Sequence, residues 1–145
     1  MPPAKVLVID DDPILLQTMS QVLRQHDFEV HLCGDAEKGL ELARSYHPDI
    51  ILLDVLLPDS DGFIVLGKLK DSPDTHDIPV VLITGFADEA GARRAKAMNA
   101  EGYLPKPLHT EDLVRAVQER LAAAEALRNL QLRSIIPPGE TQPNA

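Results

Sequence analysis

Five short apolar runs alternate along this chain with five stretches of helical periodicity, and the connections between them are short. The apolar runs, which we interpret as strands, are residues 5–9, 28–33, 50–53, 78–84 and 102–105. The helical stretches are residues 13–26, 36–46, 62–69, 87–98 and 110–132. Consecutive strands that are joined by a helix pair in parallel, and the joining helices cover the sheet. The alternation therefore predicts an α/β domain with a parallel sheet and helices on both of its faces.

The third apolar run precedes the residue around which a functional site is predicted. Residues 50–53 are wholly apolar, which is typical of a strand buried on both faces of a parallel sheet. Asp54 follows directly, and the turn-forming residues 58–62 come soon after it. Open α/β sheets bind ligands at the carboxyl ends of such strands. Taken alone, however, Asp54 could equally be the first residue of a loop.

Composition and charge restrict the class of protein. The chain has 145 residues, enough for one domain with a hydrophobic core. Its formal net charge of -9 argues against direct binding to nucleic acid or to anionic membranes. No apolar stretch approaches the roughly 18 residues of a membrane span, and we find no secretory signal. The single cysteine, Cys33, cannot form an internal disulfide, so we expect a cytoplasmic protein.

Polar side chains stand at the carboxyl ends of four predicted strands. They are Asp10 and Asp11 after the first strand, Asp54 after the third, Thr84 at the end of the fourth and Lys106 after the fifth. Because the carboxyl ends of parallel strands meet at one edge of the sheet, we expect these side chains to share one crevice. Three neighbouring carboxylates repel one another unless a cation joins them, and Mg²⁺ prefers such ligands. The pattern therefore predicts a magnesium site.

The same crevice also contains groups suited to a phosphoryl group. The ammonium of Lys106 can pair with one phosphoryl oxygen and the hydroxyl of Thr84 can donate to another, while Gly85 leaves room. A carboxylate nucleophile, a metal ion, an ammonium and a hydroxyl together indicate phosphoryl transfer onto an aspartate. Each residue by itself is more often structural, so the prediction depends on their joint occurrence at strand ends.

With these residues in place, the sequence resembles the receiver domain of two-component response regulators. The resemblance covers about residues 4–130 and is carried by the segments VLVIDDDP, ILLDVLLPDSDG, VVLITGFAD and GYLPKP. It implies a flavodoxin-like, doubly wound sheet of five parallel strands in the order 2-1-3-4-5, with five helices. Residues 131–145, which are rich in proline and polar residues towards the end, are expected to be a disordered tail or linker.

The resemblance implies a role for each acidic residue at the strand ends. Asp54 would accept a phosphoryl group from a histidine kinase or a histidine phosphotransfer protein in a Mg²⁺-dependent reaction. Asp11 and Asp54 would ligate Mg²⁺ directly, Asp10 would do so through water, and the backbone carbonyl of Leu56 would be a further ligand. The domain would not be an enzyme beyond catalysing its own phosphorylation and dephosphorylation.

The resemblance also implies a conformational switch. Thr84 and Lys106 would bind the phosphoryl group, and the peptide bond between Lys106 and Pro107 is expected to be cis. Thr84 would turn toward the phosphoryl group while Tyr103 swings inward, which changes the face formed by the fourth helix, the last strand and the last helix. That face would signal to an output domain or protein that the sequence does not identify. Tyr103 could also be an ordinary half-buried tyrosine.

Two residues depart from what many receiver domains have near the acceptor. Leu56, two residues after Asp54, is apolar, and Phe86, two residues after Thr84, is bulky. Both neighbour the path that a hydrolytic water would take to the phosphorylated aspartate. Apolar bulk should hinder this water, so the sequence predicts slow self-dephosphorylation.

Two alternative functions and one unsettled segment remain at this stage. A haloacid-dehalogenase-like phosphatase would use Asp10 as nucleophile, and Asp12 has the right spacing, but Ile14 does not fit that motif. A receiver-shaped interaction module that is never phosphorylated is the other alternative.

Leu127, Leu130 and Leu132 extend the last helix beyond the usual domain end. These leucines indicate either a helix that dimerises or links to another domain, or a frayed helix end. A homodimer could form through this extension or through the face formed by the fourth helix, the last strand and the last helix.

Overall fold

A computed structural model describes residues 2–134, which form one five-stranded parallel sheet flanked by five helices. The strands are β1 (Lys5–Ile9), β2 (Glu29–Cys33), β3 (Ile50–Asp54), β4 (Val80–Thr84) and β5 (Gly102–Pro105). The helices are α1 (Pro13–Gln25), α2 (Ala36–Tyr46), α3 (Gly62–Asp71), α4 (Glu89–Ala97) and α5 (Thr110–Ser134). The strand order is β2-β1-β3-β4-β5, which confirms the predicted fold.

The core lies on both faces of the sheet because the central strands are apolar at every inner position. Leu7, Ile51 and Leu82 project to one face, where they pack with buried residues of α2, α3 and α4. Their neighbours Val8 and Leu52 project to the other face, where they pack with α1 and α5. Alternation along each strand thus supplies both layers, as expected for strands covered on two sides. This two-sided burial fixes the strand ends that carry the polar residues.

Aspartates begin four of the helices. The side chains of Asp12, Asp35, Asp61 and Asp88 accept hydrogen bonds from backbone N–H groups in the first turns of α1, α2, α3 and α4. These bonds satisfy donors that have no partner within the helix. Pro13 at the first position of α1 needs no such partner, as the sequence predicts. Each of these caps fixes the residue at which its helix begins.

Some boundaries differ from the sequence predictions. β4 begins at Val80 rather than Ile78, because the N–H of Ile78 donates to the carbonyl of Thr75 in a turn. α4 (Glu89–Ala97) is shorter at both ends than the predicted 87–98, and Ala95 is its one buried side chain, so this helix is weakly anchored. α5 begins at Thr110 as predicted, and the carbonyl of His109 accepts the bond from the N–H of Leu113.

The last helix is longer than expected and continues to Ser134. Residues 131–134 are therefore helical, and the rest of the segment interpreted as a tail or linker lies outside the described residues. Leu127, Leu130 and Leu132 are exposed on this extension. Within residues 2–134, no helix is both long enough and apolar enough to cross a membrane.

Gly62 permits a close approach of α3 to the end of β3, and this gives a test of the fold. A Cβ at Gly62 would lie 2.5 Å from the carbonyl oxygen of Asp54 and 2.6 Å from Cα of Val55, both backbone atoms. We expect Gly62→Ala to lower the free energy of unfolding by about 1–3 kcal/mol, because backbone must shift to make room. The measurement is urea denaturation followed by circular dichroism.

Gly67 in the same helix is the matched control. A Cβ there would meet only Cε of Met98, at 3.6 Å. Because alanine has the higher helix propensity, Gly67→Ala should raise the free energy of unfolding by up to about 1 kcal/mol. Equal changes in the two variants would contradict the close approach at Gly62.

Candidate functional site

Three carboxylates converge where β1 and β3 end. Ile9 pairs with Leu53 in the sheet, so Asp10 and Asp54, the next residues, are neighbours at the carboxyl edge. A carboxylate oxygen from each of Asp10, Asp11 and Asp54 lies within 4.8 Å of the others. Asp10 and Asp54 are only 2% and 4% exposed, whereas Asp11 is exposed to solvent. The sheet therefore brings together the acidic residues that the sequence placed at strand ends.

Lys106 lies between two of these carboxylates. Its backbone N–H donates to the carbonyl of Thr84 at 2.7 Å, which extends the pairing of β4 and β5 by one residue. Its Nζ donates to Oδ2 of Asp54 at 3.0 Å and is also 3.0 Å from Oδ2 of Asp10. One ammonium thus faces three carboxylates, and the site keeps an excess of negative charge.

Burial and charge act on the pKa values of the site in opposite directions. Burial raises the pKa of Asp54, and it outweighs the hydrogen bonds from Lys106 and from the N–H of Leu56. The charge of Asp10 acts in the same direction as burial. Burial by itself would lower the pKa of Lys106, but the adjacent carboxylates of Asp10 and Asp54 outweigh it and the pKa is raised. The environment therefore keeps Lys106 protonated and makes the ionised form of Asp54 costly.

The donor set fits a hard divalent cation. Oδ2 of Asp10 is buried, and although the ammonium of Lys106 lies 3.0 Å away as its ion-pair partner, it accepts no hydrogen bond of good geometry. One ammonium cannot neutralise three neighbouring carboxylates, and buried like charges repel one another. A metal ion or a metal-bound water at the cluster would offset this repulsion. The cluster of Asp10, Asp11 and Asp54 could therefore hold Mg²⁺.

An open pocket of about 410 Å³ lies over the carboxylates. It is lined by Asp11, Asp54, Leu56, Leu57, Pro58, Gly85 and Lys106. A Cβ at Gly85 would meet no atom within 4 Å, so the pocket is open on this side. Leu56, which is 75% exposed, forms part of the wall next to Asp54. The pocket gives a small group direct access to the carboxylate of Asp54.

Thr84 and Tyr103 lie beside the pocket and are connected by the loop after β4. The Oγ1 of the buried Thr84 accepts a hydrogen bond from the N–H of Phe86 at 3.0 Å. The hydroxyl of Tyr103 lies 3.5 Å from both the carbonyl of Phe86 and the N–H of Asp88. Neither residue contributes to the pocket lining, and Phe86 is 85% exposed. The structure thus places these two residues next to the same loop, with Thr84 one residue after Ile83, the partner of Asp54 in the sheet.

Two further features concern the backbone near Asp54 and Lys106. The N–H of Leu56 donates to Oδ1 of Asp54 at 3.2 Å, so the backbone just after β3 turns back over this carboxylate. The peptide bond between Lys106 and Pro107 is cis.

Sequence reasoning missed Asp59, which it treated only as a turn-forming residue. Its carboxylate accepts hydrogen bonds from the N–H groups of Ala36 and Glu37 at the start of α2. The bond from Ala36 is the main reason why the pKa of Asp59 is lowered. A proline followed by aspartate indicates a turn, but no local pattern reveals which distant element its side chain meets.

Comparison with known proteins places this site in a family. The family model described as "Response regulator receiver domain" matches residues 6–118. Protein PilH of Pseudomonas aeruginosa is 30% identical over 119 residues, which cover 82% of this chain and 98% of PilH. The probable transcriptional regulatory protein TcrX of Mycobacterium tuberculosis is 37% identical over 114 residues, covering 77% of this chain. The chain spans only about half the length of some relatives, with 47% of TcrX matched.

Solved structures show the same fold. A CheY-like response regulator receiver domain from Methanospirillum hungatei aligns with a TM-score of 0.81 at 26% identity, covering 86% of this chain and 98% of that one. A putative response regulator from Chloroflexus aurantiacus aligns with a TM-score of 0.78 at 30% identity, covering 83% and 98%. The resemblance found in the sequence is confirmed, and this chain belongs to the receiver domain family of two-component response regulators.

Proposed function

We propose that this receiver domain accepts a phosphoryl group onto Asp54 from a histidine kinase or a histidine phosphotransfer protein, in a Mg²⁺-dependent reaction. The observation that carries the proposal is the placement of the Lys106 ammonium 3.0 Å from Asp54 Oδ2, inside a cluster of three carboxylates under an open pocket. Family membership supports a histidine kinase or a histidine phosphotransfer protein as the donor of the phosphoryl group. A role in accepting this group from such a donor also supports a cytoplasmic location for this domain.

In the proposed reaction, a carboxylate oxygen of Asp54 attacks phosphorus while the bond from phosphorus to the donor histidine breaks. Lys106 pairs with the negative charge that the phosphoryl oxygens carry, and Thr84 donates its hydroxyl to another oxygen. Asp11, Asp54 and the Leu56 carbonyl would hold Mg²⁺ directly, with Asp10 acting through water, and the ion would supply positive charge that offsets the charge of the phosphoryl group. The domain catalyses only the formation and hydrolysis of its own acyl phosphate.

The proposed switch uses the loop between Thr84 and α4. When Thr84 turns toward a phosphoryl group, its Oγ1 must leave the N–H of Phe86, and Phe86 belongs to the loop that Tyr103 contacts. Because α4 is anchored by the small side chain of Ala95, it can shift at low cost. The α4-β5-α5 face would then signal to an output domain or protein. A homodimer through this face or through the extension of α5 belongs to the same proposal.

The alternatives differ in where the phosphoryl group goes. A haloacid-dehalogenase-like phosphatase would carry it on Asp10, but the match to the receiver family over residues 6–118 favours Asp54. An interaction module that is never phosphorylated would carry none. Nothing in the geometry favours this module, because the acceptor, the lysine and the acidic cluster are all present.

Mg²⁺ should stabilise the protein by occupying the carboxylate cluster. At a hundredfold excess over its dissociation constant, the gain in free energy of unfolding should be about 2.7 kcal/mol. Asp11→Asn should abolish this gain, since it removes a carboxylate from the cluster at an exposed position. Asp27→Asn is the control, because it removes an exposed acidic charge from a positive-φ position that asparagine tolerates. Thermal unfolding with and without Mg²⁺ measures the effect, and an equal gain in all three proteins would contradict the site.

Acetyl phosphate and Mg²⁺ should phosphorylate Asp54. Intact-mass measurement followed by peptide mapping should find one phosphoryl group on the wild-type protein and none on Asp54→Asn. Asp74→Asn, in the exposed loop before β4, should be phosphorylated like the wild type. A label on Asp10 would support the phosphatase alternative, and no label on the wild type would support the unphosphorylated module.

The phosphorylated domain should lose its phosphoryl group slowly, because Leu56 restricts the approach of water to Asp54. Leu56→Asn should accelerate the decay by about tenfold, which corresponds to about 1.4 kcal/mol in activation free energy. Phe86→Glu should accelerate it less, since Phe86 lies outside the pocket lining. The decay of the phosphorylated form is followed by mass spectrometry, with Ile64→Gln, an exposed position on α3, as the control. Unchanged decay in Leu56→Asn would remove this explanation.

A further inference from the structure

The side chain of Asp59 joins the loop after β3 to the beginning of α2. Its Oδ1 accepts the N–H of Ala36 at 2.8 Å and its Oδ2 accepts the N–H of Glu37 at 3.1 Å. The two oxygens therefore have different partners on one helix, and the orientation of the carboxylate is fixed. Ala36 and Glu37 precede Asp59 in the chain by 23 and 22 residues.

The N–H groups of the first three residues of α2 have no partner within the helix, and two different aspartates accept their hydrogen bonds. Asp35, the local cap, accepts from the N–H of Lys38 with its side chain, and its backbone carbonyl accepts the first helical hydrogen bond, from Gly39. The N–H groups of Ala36 and Glu37 donate to Asp59. An acceptor that belongs to another loop attaches that loop to the helix.

The loop that contains Asp59 also contains Leu56, whose backbone lies next to Asp54. Leu56 forms an isolated bridge with Asp61, and the N–H of Gly62 donates to the carbonyl of Val55 at 2.6 Å. The N–H of Leu57 donates to the carbonyl of Ser60 at 3.2 Å. Residues 55–62 therefore form one closed loop with Asp59 near its tip, and a movement of the tip is transmitted to Leu56.

Helix α2 packs closely on β1, the strand that is followed by Asp10 and Asp11. A Cβ on Gly39 would lie 2.5 Å from Cδ1 of Ile9, so the helix packs very closely on β1. The turn before the helix is also close, since a Cβ on Gly34 would lie 3.8 Å from the carbonyl oxygen of Asp10. The start of α2 is thus a fixed point next to Asp10 and Asp11.

We propose that Asp59 is a positioning residue for the metal and phosphoryl site. By holding the 55–62 loop on α2, it sets the distance between the backbone of Leu56 and the carboxylates of Asp10 and Asp11. This inference rests on the proposed function, because it takes the Leu56 carbonyl as a Mg²⁺ ligand. Asp59 itself touches neither the ion nor the phosphoryl group.

The test compares Asp59→Ala with Asp35→Ala in the full chain. Both substitutions remove one negative charge and one cap from the start of α2, but only the first releases the loop. Titration with Mg²⁺ alone, followed by calorimetry, gives the dissociation constant of each variant. The rate of phosphorylation by acetyl phosphate is then measured at low and at saturating Mg²⁺.

We expect Asp59→Ala to raise the Mg²⁺ dissociation constant about tenfold, as is usual when a supporting partner of a ligand is removed. Asp35→Ala should change it by less than about twofold, because the charge of the partly exposed Asp35 is screened by salt and its loss leaves the 55–62 loop attached. Phosphorylation of Asp59→Ala should be slow at low Mg²⁺ and should recover at saturating Mg²⁺. Asp59→Asn, which keeps an acceptor oxygen without the charge, should lie between wild type and Asp59→Ala, and it replaces the alanine variant if that one does not fold.

Three results would overturn the inference. Equal changes in Asp35→Ala and Asp59→Ala would show that lost capping or lost charge is sufficient. An unchanged dissociation constant in Asp59→Ala would show that the loop holds its place without Asp59. Absence of Mg²⁺ binding by the wild type would overturn the proposed function itself, and it is seen before any variant is compared.

Discussion

The structure depends on the burial of like charges at one edge of an apolar sheet. Asp10 and Asp54 are almost completely buried with Asp11 beside them, and one ammonium, that of Lys106, lies among them. Such an arrangement costs free energy. The apolar strands β1, β3 and β4, covered on both faces, provide the hydrophobic stabilisation that maintains it. A divalent cation bound at the cluster of Asp10, Asp11 and Asp54 would relieve the same repulsion.

Two loops connect the acidic site with the neighbouring helices. On one side, residues 55–62 close over Asp54 and contact α2 through Asp59. On the other side, the loop after β4 connects Thr84 with Tyr103 and with the start of α4. The first loop contacts a helix that packs closely on β1, whereas the second leads into a helix with a single buried alanine. The first loop is therefore attached to the more firmly packed helix.

Membership in the receiver family accounts for the fold and for the acidic site, and this chain adds exposed apolar side chains at two places. Leu56 and Phe86 are large exposed apolar side chains in the loops that follow Asp54 and Thr84. The extension of α5 to Ser134 carries Leu127, Leu130 and Leu132 into solvent. Some relatives are about twice as long as the matched region, whereas PilH is matched over 98% of its length. The family thus includes the receiver both as most of a protein and as one part of a larger one.

The sequence by itself determined the parallel α/β sheet and the convergence of Asp10, Asp11, Asp54 and Lys106. Alternating strands and helices force parallel pairing, and parallel strands bring their carboxyl ends to one edge. Resemblance to a family was needed for the strand order, since periodicity does not say which strands are neighbours. Only the tertiary structure showed that Asp59 caps α2 and that Thr84 accepts a hydrogen bond from Phe86. Those contacts depend on how loops and helices pack after the sheet has formed, and local sequence patterns contain no information about distant partners.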